Sequence, residues 1–380
     1  MKRELFTDEH RAFREIARAF YDKECAPHSA EWEKAGVTAR EPWLVAGAMG
    51  LIGWEAPEAF GGQGIKDFRY NAIMTEEMYA TGTVGIGIGL QNDIMASYLV
   101  DMTTDEQKER WLPGFVNGEL ITAIAMSEPG AGSDLAGVKT SARRAGDHYV
   151  VNGSKTFISN GLLSDLVVTV VKTDPAAGRK GISLLAIERG MEGFERGRNL
   201  DKIGQKSADT AELVFNEVKV PVENLIGEEN RGFYHLMSNL PAERLGIAIN
   251  AVSQARRAVE LTKQYASDRS AFGQPIGTFQ VNRHAIAEMS VKVDVMQTYV
   301  DRCIEAVNAG ELTAAEAAGA KYWATETQWE ILDRCLQLHG GYGYMNEYEI
   351  ARLWRDSRVQ RLYGGTNEIM KDLIGRSLGF

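Results

Sequence analysis

The chain has 380 residues, of which 44% are hydrophobic and 25% charged, and 42 basic against 52 acidic residues give a net charge of −10. This composition is that of a folded globular protein with room for roughly two to three domains. The acidic balance excludes a nucleic-acid-binding protein that works through a basic surface. The longest apolar runs fall far short of the ~20 residues of a transmembrane helix, so we expect no membrane span.

The amino-terminal residues run directly into charged, amphipathic sequence and lack the apolar stretch of a secretory signal. We therefore expect a cytoplasmic protein. Cys25, Cys303 and Cys335 are an odd number of cysteines without the spacing of a metal site. They are interpreted as free thiols that pack in the interior of a protein in a reducing compartment, and no metal is expected.

The first third of the chain has a helical pattern. Thr7 suits the N-cap of a helix in which Phe13, Ile16, Ala17 and Phe20 form one buried face. Further helices are predicted at 43–49 and 71–79, separated by a turn at 58–64. The pattern predicts an N-terminal α-helical domain over residues 1–120.

Residues 121–232 have a different pattern, in which short β-branched runs alternate with turn residues. The predicted strands cover residues 148–151, 156–159, 166–172, 182–188 and 211–215. The pairs Asn152-Gly153 and Asn160-Gly161 favour tight hairpin turns. We expect a middle β domain built as a small sandwich or barrel.

Residues 233–380 return to long helical stretches with few glycines before residue 340. Long amphipathic helices bury their apolar stripes against one another, which favours a C-terminal four-helix-bundle domain. The predicted fold class is therefore multi-domain α+β, in the order α, β, α.

Three segments combine glycines with polar side chains. Residues 125–137 suit either a cofactor loop or a plain surface turn, and they lack the ending of a phosphate loop. Arg269, after a long helix, suits either a bound phosphate or an exposed helix end. The glycine pairs within 337–344 and 363–368 suit either close approach of a ligand or helix caps.

In their order along the chain, these segments resemble the acyl-CoA dehydrogenase family over essentially the whole length. Residues 125–137 fit the family's flavin-loop signature, and 337–347 with Arg352 and Asp356 fit its second signature. Residues 152–161 and 363–369 are most similar to the long-chain branch of the family. The resemblance implies a helical, β and four-helix-bundle domain in that order.

The resemblance implies an FAD cofactor and a homotetramer in which a neighbouring subunit completes each cofactor site. The implied contacts around the isoalloxazine ring are Ile124, Ala125, Met126, Ser127, Gly132, Ser133, Phe157, Ile158 and Ser159. The other implied FAD contacts, several of them to a neighbour's FAD, are Arg269, Phe272, Gln280, Gln337, Leu338, His339, Gly340, Gly341, Thr366, Asn367 and Glu368. Packing is an alternative role for His339.

The implied reaction is α,β-dehydrogenation of an acyl-CoA thioester, in which a carboxylate takes the α-proton and a hydride passes to flavin N5. In many members the carboxylate follows a tyrosine near the carboxy terminus, where this chain has Gly364. The long-chain and isovaleryl branches carry it on an earlier helix, in a segment similar to residues 240–245. Glu243 is therefore the candidate base.

Periodicity supports this choice independently. At ~100° per residue, Leu236, Leu240, Glu243 and Ile247 fall on one narrow stripe of a helix. Burial on such a stripe would raise the pKa of Glu243 towards neutrality, which suits a general base.

The resemblance implies that the Gly364 N–H and a flavin hydroxyl bind the thioester carbonyl. The implied substrate contacts are Ser133, Arg179, Lys180, Tyr234, Pro241, Ala242, Arg244, Gly364 and Gly365. Small residues within 81–90 either widen the acyl pocket or help helices to pack. We expect a medium-to-long or branched acyl-CoA as substrate and an electron-transfer flavoprotein as acceptor.

Three alternatives remain open from the sequence. The reduced flavin of the same fold reacts with oxygen in an acyl-CoA oxidase or a flavin monooxygenase. A carrier protein, rather than CoA, is a second possible holder of the acyl group. A flavoprotein that binds acyl thioesters without a base is the third, and it requires Glu243 to be dispensable.

Overall fold

The computed structural model describes residues 3–83 and 85–380, in which helices, then a sheet, then helices follow one another along the chain. This confirms the predicted fold class. The amino-terminal helices are α1 (Asp8–Phe20), α2 (Ser29–Ala35), α3 (Glu41–Ala48), α4 (Phe68–Ala80), α5 (Ile88–Leu90), α6 (Ala96–Asp101) and α7 (Asp105–Val116). Two π-helical turns, Tyr21–Cys25 and Gln91–Met95, interrupt them.

Helix α1 begins after Thr7, as expected, with two acidic residues in its first turn that favour the positive end of the helix dipole. Ala17 and Phe20 are buried in the amino-terminal core. The prediction was wrong for Ile16, which is 43% exposed. Ile16 lies at the edge of the apolar stripe, so the core reaches the residues on either side of it but leaves much of its side chain in solvent.

The central sheet contains eight strands. They are β1 (Thr122–Ala125), β2 (Ser141–Ala145), β3 (His148–Ser159), β4 (Leu166–Lys172), β5 (Ile182–Glu188), β6 (Phe194–Asn199), β7 (Thr210–Pro221) and β8 (Leu225–Ile226). The order is β6-β7-β3-β2-β4-β5-β8, with β1 parallel to β4. A single residue pair, Ser141 with Lys172, joins β2 to β4, and the two halves bury Tyr149 and Leu213 against Val167 and Leu185 in a shared cluster. This is the packing of a sandwich.

The two Asn-Gly pairs are not the hairpin turns that we predicted. Asn152 and Gly153 lie inside β3, where the pairing with β7 shifts register between Val151 and Gly153. Asn160 and Gly161 follow β3 and lead to β4, which is not a neighbour of β3 in the sheet. A β-bulge uses the same residue types as a turn, so local sequence does not separate the two.

The carboxy-terminal part contains α8 (Gly232–Asp268), α9 (Gln280–Asn308), α10 (Ala314–His339), α11 (Glu349–Ser357) and α12 (Asn367–Ser377), with a hairpin of β9 (Ser270–Ala271) and β10 (Gln274–Pro275) after α8. The long helices pack through Leu245, Val252, Met296 and Ile331, and Tyr79 of α4 joins the same cluster. Helix α8 therefore contacts both helical parts. None of the helices in the described ranges has the length and apolar character that a bilayer crossing requires.

The three cysteines are buried and unpaired. Burial raises the pKa of each thiol, to about 12 for Cys25 and Cys335 and about 11 for Cys303. Such thiols are protonated and unreactive at neutral pH, which confirms the interpretation of these residues as packing residues.

Candidate active site

Glu243 lies on the apolar stripe of α8 and is 7% exposed, between the buried Leu236 and Leu240 and the half-buried Ile247. Burial raises the pKa of its carboxyl to about 7. The Tyr98 hydroxyl donates a hydrogen bond to Glu243 Oε1 at 3.1 Å, and this contact opposes the effect of burial. The arrangement gives a carboxyl that exchanges a proton near neutral pH, as a general base must.

The Gly364–Gly365 turn lies against the same part of α8. Arg244 Nε donates to the Gly364 carbonyl at 3.2 Å. A Cβ on Gly364 would stand 2.4 Å from Ile247 Cδ1, and the residue has φ +65°, so a side chain at this position would strain the backbone and require Ile247 to move. The turn that follows Tyr363 therefore reaches the stripe that carries Glu243.

A buried lysine of α10 holds the same turn from behind. Lys321 has no exposed surface, and its Nζ donates to the Gly365 carbonyl and to Asn367 Oδ1, both at 2.8 Å. Asn367 in turn donates to Thr325 Oγ1 at 2.9 Å and to Glu326 Oε1 at 2.8 Å. The Asn367 side chain is thus fully engaged inside the protein, which leaves its backbone for any contact with a cofactor.

Residues 124–133 and 157–159, which the resemblance assigns to one ligand, lie side by side because residues 155 and 156 bond the first segment. The Thr156 N–H donates to the Ser127 carbonyl at 3.0 Å. Buried Lys155 donates to the Met126 carbonyl at 3.0 Å and forms an ion pair with Glu128 at 2.9 Å. The Glu128 carboxylate also accepts from two backbone N–H groups, so the pair fastens both segments together.

The surface formed by these two segments has exposed groups on the outside and buried residues beneath them. Ala125 and Ile158 are buried, while Ile124 and Met126 are half-buried at the edge. Phe157 is 70% exposed and holds a left-handed backbone with φ 62°. The exposed or half-buried members are Ser127, Gly132, Ser133 and Ser159. An aromatic ring, hydroxyls and an open glycine loop suit a flat ligand with polar edges.

A second group of predicted residues lines a cleft of about 440 Å³ at the end of α8 and α10. Its walls include Arg269, Leu338, His339, Gly340 and Gly341, all assigned to FAD from the sequence. The Arg269 guanidinium lies 5.9 Å from the ring of Tyr342. Gln280 and Gln337 are exposed nearby along the chain, and Phe272 is 96% exposed at the tip of the β9–β10 hairpin. A cation beside an open glycine turn suits a phosphate.

His339 has the packing role that the sequence left open. It is 4% exposed, its ring stacks on Tyr265 at 4.3 Å between centroids, and its Nδ1 bonds the Cys335 carbonyl at 2.8 Å. Its contribution to the cleft is the wall that it forms with Tyr265.

The remaining predicted residues lie at four places. Arg179 and Lys180 are exposed at a loop tip, and Tyr234 is 61% exposed with Arg231 4.6 Å from its ring. Pro241 and Ala242 are half-buried on α8 beside Glu243. Thr366 caps α12, where Glu368 is exposed. The small residues of the segment 81–90 precede the π-helical turn Gln91–Met95 along the chain, and Val84 in that segment lies outside the described residues.

Three features of the site were not predicted from the sequence: Tyr98, Lys321 and the Glu128–Lys155 pair. Tyr98 lies 145 residues before its partner, so no local pattern connects the two. A lysine in a helix normally predicts an exposed face, and the carbonyl that Lys321 meets is set only by the fold. Glu128 and Lys155 both lie in the segments that carry the resemblance, and this location was the only indication in the sequence of their pairing.

The sequence matches three family models: Acyl-CoA dehydrogenase N-terminal domain over residues 7–119, middle domain over 123–218 and C-terminal domain over 230–379. It is 47% identical over 378 residues to the mitochondrial long-chain specific acyl-CoA dehydrogenase of Mus musculus, covering 99% of this chain and 88% of that protein. It is 35% identical over 375 residues to the mitochondrial isovaleryl-CoA dehydrogenase of Pongo abelii, covering 98% and 89%.

Solved structures have the same fold. The crystal structure of an acyl-CoA dehydrogenase from Geobacillus kaustophilus superposes with a TM-score of 0.97 at 47% identity, covering all of both chains. A chain in a structure described as the electron transferring flavoprotein of Acidaminococcus fermentans superposes with a TM-score of 0.91 at 32% identity, again over all of both chains.

Proposed function

The chain belongs to the acyl-CoA dehydrogenase family, and from this premise we propose that it oxidises a medium-to-long or branched acyl-CoA to the trans-2-enoyl-CoA with Glu243 as the base. Members of the family are FAD-dependent oxidoreductases that act on acyl-CoA. The observation that carries the proposal is the burial of Glu243 on an apolar helix face, with its pKa raised to about 7 and the Gly364 turn beside it.

Each residue of the site has a separate role in the proposed reaction. The Glu243 carboxylate takes the proton from the α-carbon and becomes a neutral acid, a form that its buried position favours. Tyr98 keeps Oε1 in place through its hydrogen bond. The Gly364 N–H binds the thioester carbonyl, and stabilises the negative charge that develops there as the α-proton leaves.

When bound, FAD would supply the acceptor for the hydride that leaves the β-carbon. The joined surface of residues 124–133 and 155–159 fits the flavin because it offers an exposed aromatic ring, hydroxyls and backbone groups. The contacts of Lys155 hold the two segments together. The cleft of Arg269 and Gly340 fits the phosphate end of a dinucleotide. We place this cleft at a neighbouring subunit's FAD, within a homotetramer.

Three further assignments support binding of CoA. Arg244 is buried and touches the Gly364 turn, which puts a cation close to the thioester. Arg179 and Lys180 offer two exposed cations to the phosphates of CoA. Tyr234, beside Arg231, gives a flat exposed ring near the start of α8.

An electron-transfer flavoprotein is the proposed acceptor of the electrons from reduced FAD. The likeness to a chain in the Acidaminococcus fermentans structure supports this partner. The cytoplasmic location expected from the sequence stays a prediction.

The test is anaerobic mixing of the purified, FAD-loaded protein with acyl-CoA thioesters from isovaleryl to palmitoyl while the flavin absorbance is recorded. We expect bleaching with medium-to-long or branched members. A yellow protein that bleaches with none of them would contradict the proposal, and carrier-protein thioesters would be tried next. Rapid reoxidation of the bleached protein by oxygen would instead identify an oxidase.

A further inference from the structure

Asp93 is a second carboxyl inside the protein, close to the base, that the proposed reaction does not use. It lies in the π-helical turn Gln91–Met95, and π-turns are frequent at functional sites. Within the described ranges its hydrogen-bond partner is Asn71, whose Nδ2 donates to Asp93 Oδ1 at 2.8 Å. Among the described residues no cation acts on this carboxyl, and burial raises its pKa to about 7. A carboxyl buried without a cation is costly, which calls for a role.

The position of Asp93 follows from two contacts between the same pair of elements. Tyr98 meets Glu243, and one turn earlier Asp93 meets Gly246, which is one turn later than Glu243 on α8. Asp93 therefore lies about 5 Å beyond the base along α8, on the same side of the helix. An acyl chain with its α-carbon at Glu243 would reach this level a few carbons further on.

The Oδ2 atom of Asp93 lies close to two glycines, which have no side chains to cover it. A Cβ on Gly246 would lie 3.0 Å from this atom, and a Cβ on Gly89 would lie 3.8 Å from it. Asp93 is only half-buried by surface area, although the loss of hydration on burial is the main cause of its raised pKa. Both observations hold together if the carboxyl borders an internal channel instead of packed side chains. Gly246 matters here because any side chain would fill the space in front of Asp93.

Asn71 leaves a second acceptor at the same place. Its side chain is 1% exposed, and its Oδ1 has no hydrogen-bond partner among the described residues. Glu55, whose pKa burial also raises to about 7, feels the charge of Asp93. Asp93 Oδ2 and Asn71 Oδ1 thus receive no hydrogen bond from the described residues, a situation unsuited to plain hydrocarbon.

We propose that the acyl channel contains a polar subsite, formed by Asp93 and Asn71, that binds a hydroxyl group carried by the acyl chain a few carbons beyond the β-carbon. This inference rests on the proposed function and narrows its substrate class to hydroxylated acyl-CoA thioesters. The hydroxyl donates to Asp93 Oδ2 and supplies the donor that the protein lacks there.

The test compares dodecanoyl-CoA with a series of monohydroxylated dodecanoyl-CoA thioesters in which the hydroxyl moves stepwise along the chain. Anaerobic flavin reduction gives the specificity of each thioester for the wild type and for Asp93→Leu. We expect one or two neighbouring isomers to be preferred by the wild type, and this preference over dodecanoyl-CoA to fall by about tenfold in the variant. Dodecanoyl-CoA itself is reduced at least as well by the variant.

The matched control is Asp101→Leu, the same change on α6 at an exposed carboxyl that pairs with Lys66; it leaves the preference unchanged. An equal preference in the wild type and Asp93→Leu for every isomer overturns the subsite. If Asp93→Leu does not hold FAD, the wild-type series decides: an optimum at one level of the chain supports the subsite, and a uniform penalty for the hydroxyl overturns it. Absence of bleaching with dodecanoyl-CoA and all isomers contradicts the proposed function instead.

Discussion

At the scale of single residues, the chemistry depends on how one carboxyl is held. Glu243 is buried, so its charged form is disfavoured, and Tyr98 partly restores that form through one hydrogen bond. A base with a pKa of about 7 is ionised above that pH and protonated below it. Proton abstraction is therefore expected to be lost as the pH falls through neutrality.

Removing the Tyr98 hydroxyl should move this transition. In Tyr98→Phe the Glu243 carboxylate loses a hydrogen bond that favours its charged form, so its pKa rises, by about one unit. Flavin reduction at pH 7 should fall several-fold and recover at higher pH. The measurement is the pH profile of anaerobic flavin reduction, with Tyr149→Phe, a buried tyrosine of the central sheet, as control. An unshifted profile would show that Tyr98 does not tune the base.

The variant Gly364→Glu tests whether a carboxylate at position 364 can reach the same substrate α-carbon as the carboxylate of Glu243 on α8. We expect Gly364→Glu to restore part of the activity lost in Glu243→Gln. The rescue should be incomplete because φ is +65° and the new Cβ meets Ile247 Cδ1 at 2.4 Å. Adding Ile247→Ala should increase it. If neither combination reduces flavin faster than Glu243→Gln alone, the two positions are not equivalent in geometry.

At the scale of elements, buried lysines fasten segments that are distant in sequence. Lys155 joins β3 to residues 126–128, and Lys321 joins α10 to the turn before α12. Burial lowers the pKa of both lysines to about 8, although acceptors surround their ammonium groups. The order of helices and strands was predictable from periodicity, since it follows from local pattern. The contacts of Lys155 and Lys321 were not predictable, because the fold decides which groups these lysines meet.

Breaking the Lys155 link should damage both stability and cofactor binding. In Lys155→Met, Glu128 is left buried without its cation, a change that typically costs about 3–5 kcal/mol. We expect a lower melting temperature and loss of FAD on gel filtration. Lys139→Met, at an exposed position of the same region, is the control. The double variant with Glu128→Gln should recover part of the stability, and a single variant as stable as the wild type would exclude the fastening role.

At the scale of the whole molecule, the resemblance located more of the site than the residue patterns did. The stripe on α8 correctly predicted the burial of Glu243 and its neighbours, because burial follows periodicity. The FAD residues came from the resemblance, and they lie at three places, on the sheet, at the end of α8 and α10, and at the start of α12. The bulge at Asn152-Gly153 was misread, since strand pairing over long range decides between bulge and turn.

The cleft of Arg269 gives a prediction at this scale. If it holds the phosphates of a neighbour's FAD, Arg269→Ala should weaken FAD binding by about tenfold while each chain stays folded. Arg302→Ala, which removes an arginine that is 74% exposed, is the control. Light scattering measures the oligomeric state of the variant, and fluorescence measures the FAD that it releases. Unchanged FAD affinity in a tetrameric Arg269→Ala protein would remove this cleft from the cofactor site.

The central claim is that Glu243 takes the α-proton, and the rate of flavin reduction in Glu243→Gln tests it most directly. The variant and the wild type are mixed anaerobically with a thioester that bleaches the wild type, and Glu260→Gln, an exposed change on α8, serves as control. The account predicts that Glu243→Gln keeps FAD and binds the thioester, but reduces its flavin about 10²–10⁴-fold more slowly. Reduction at a rate near that of the wild type would contradict it.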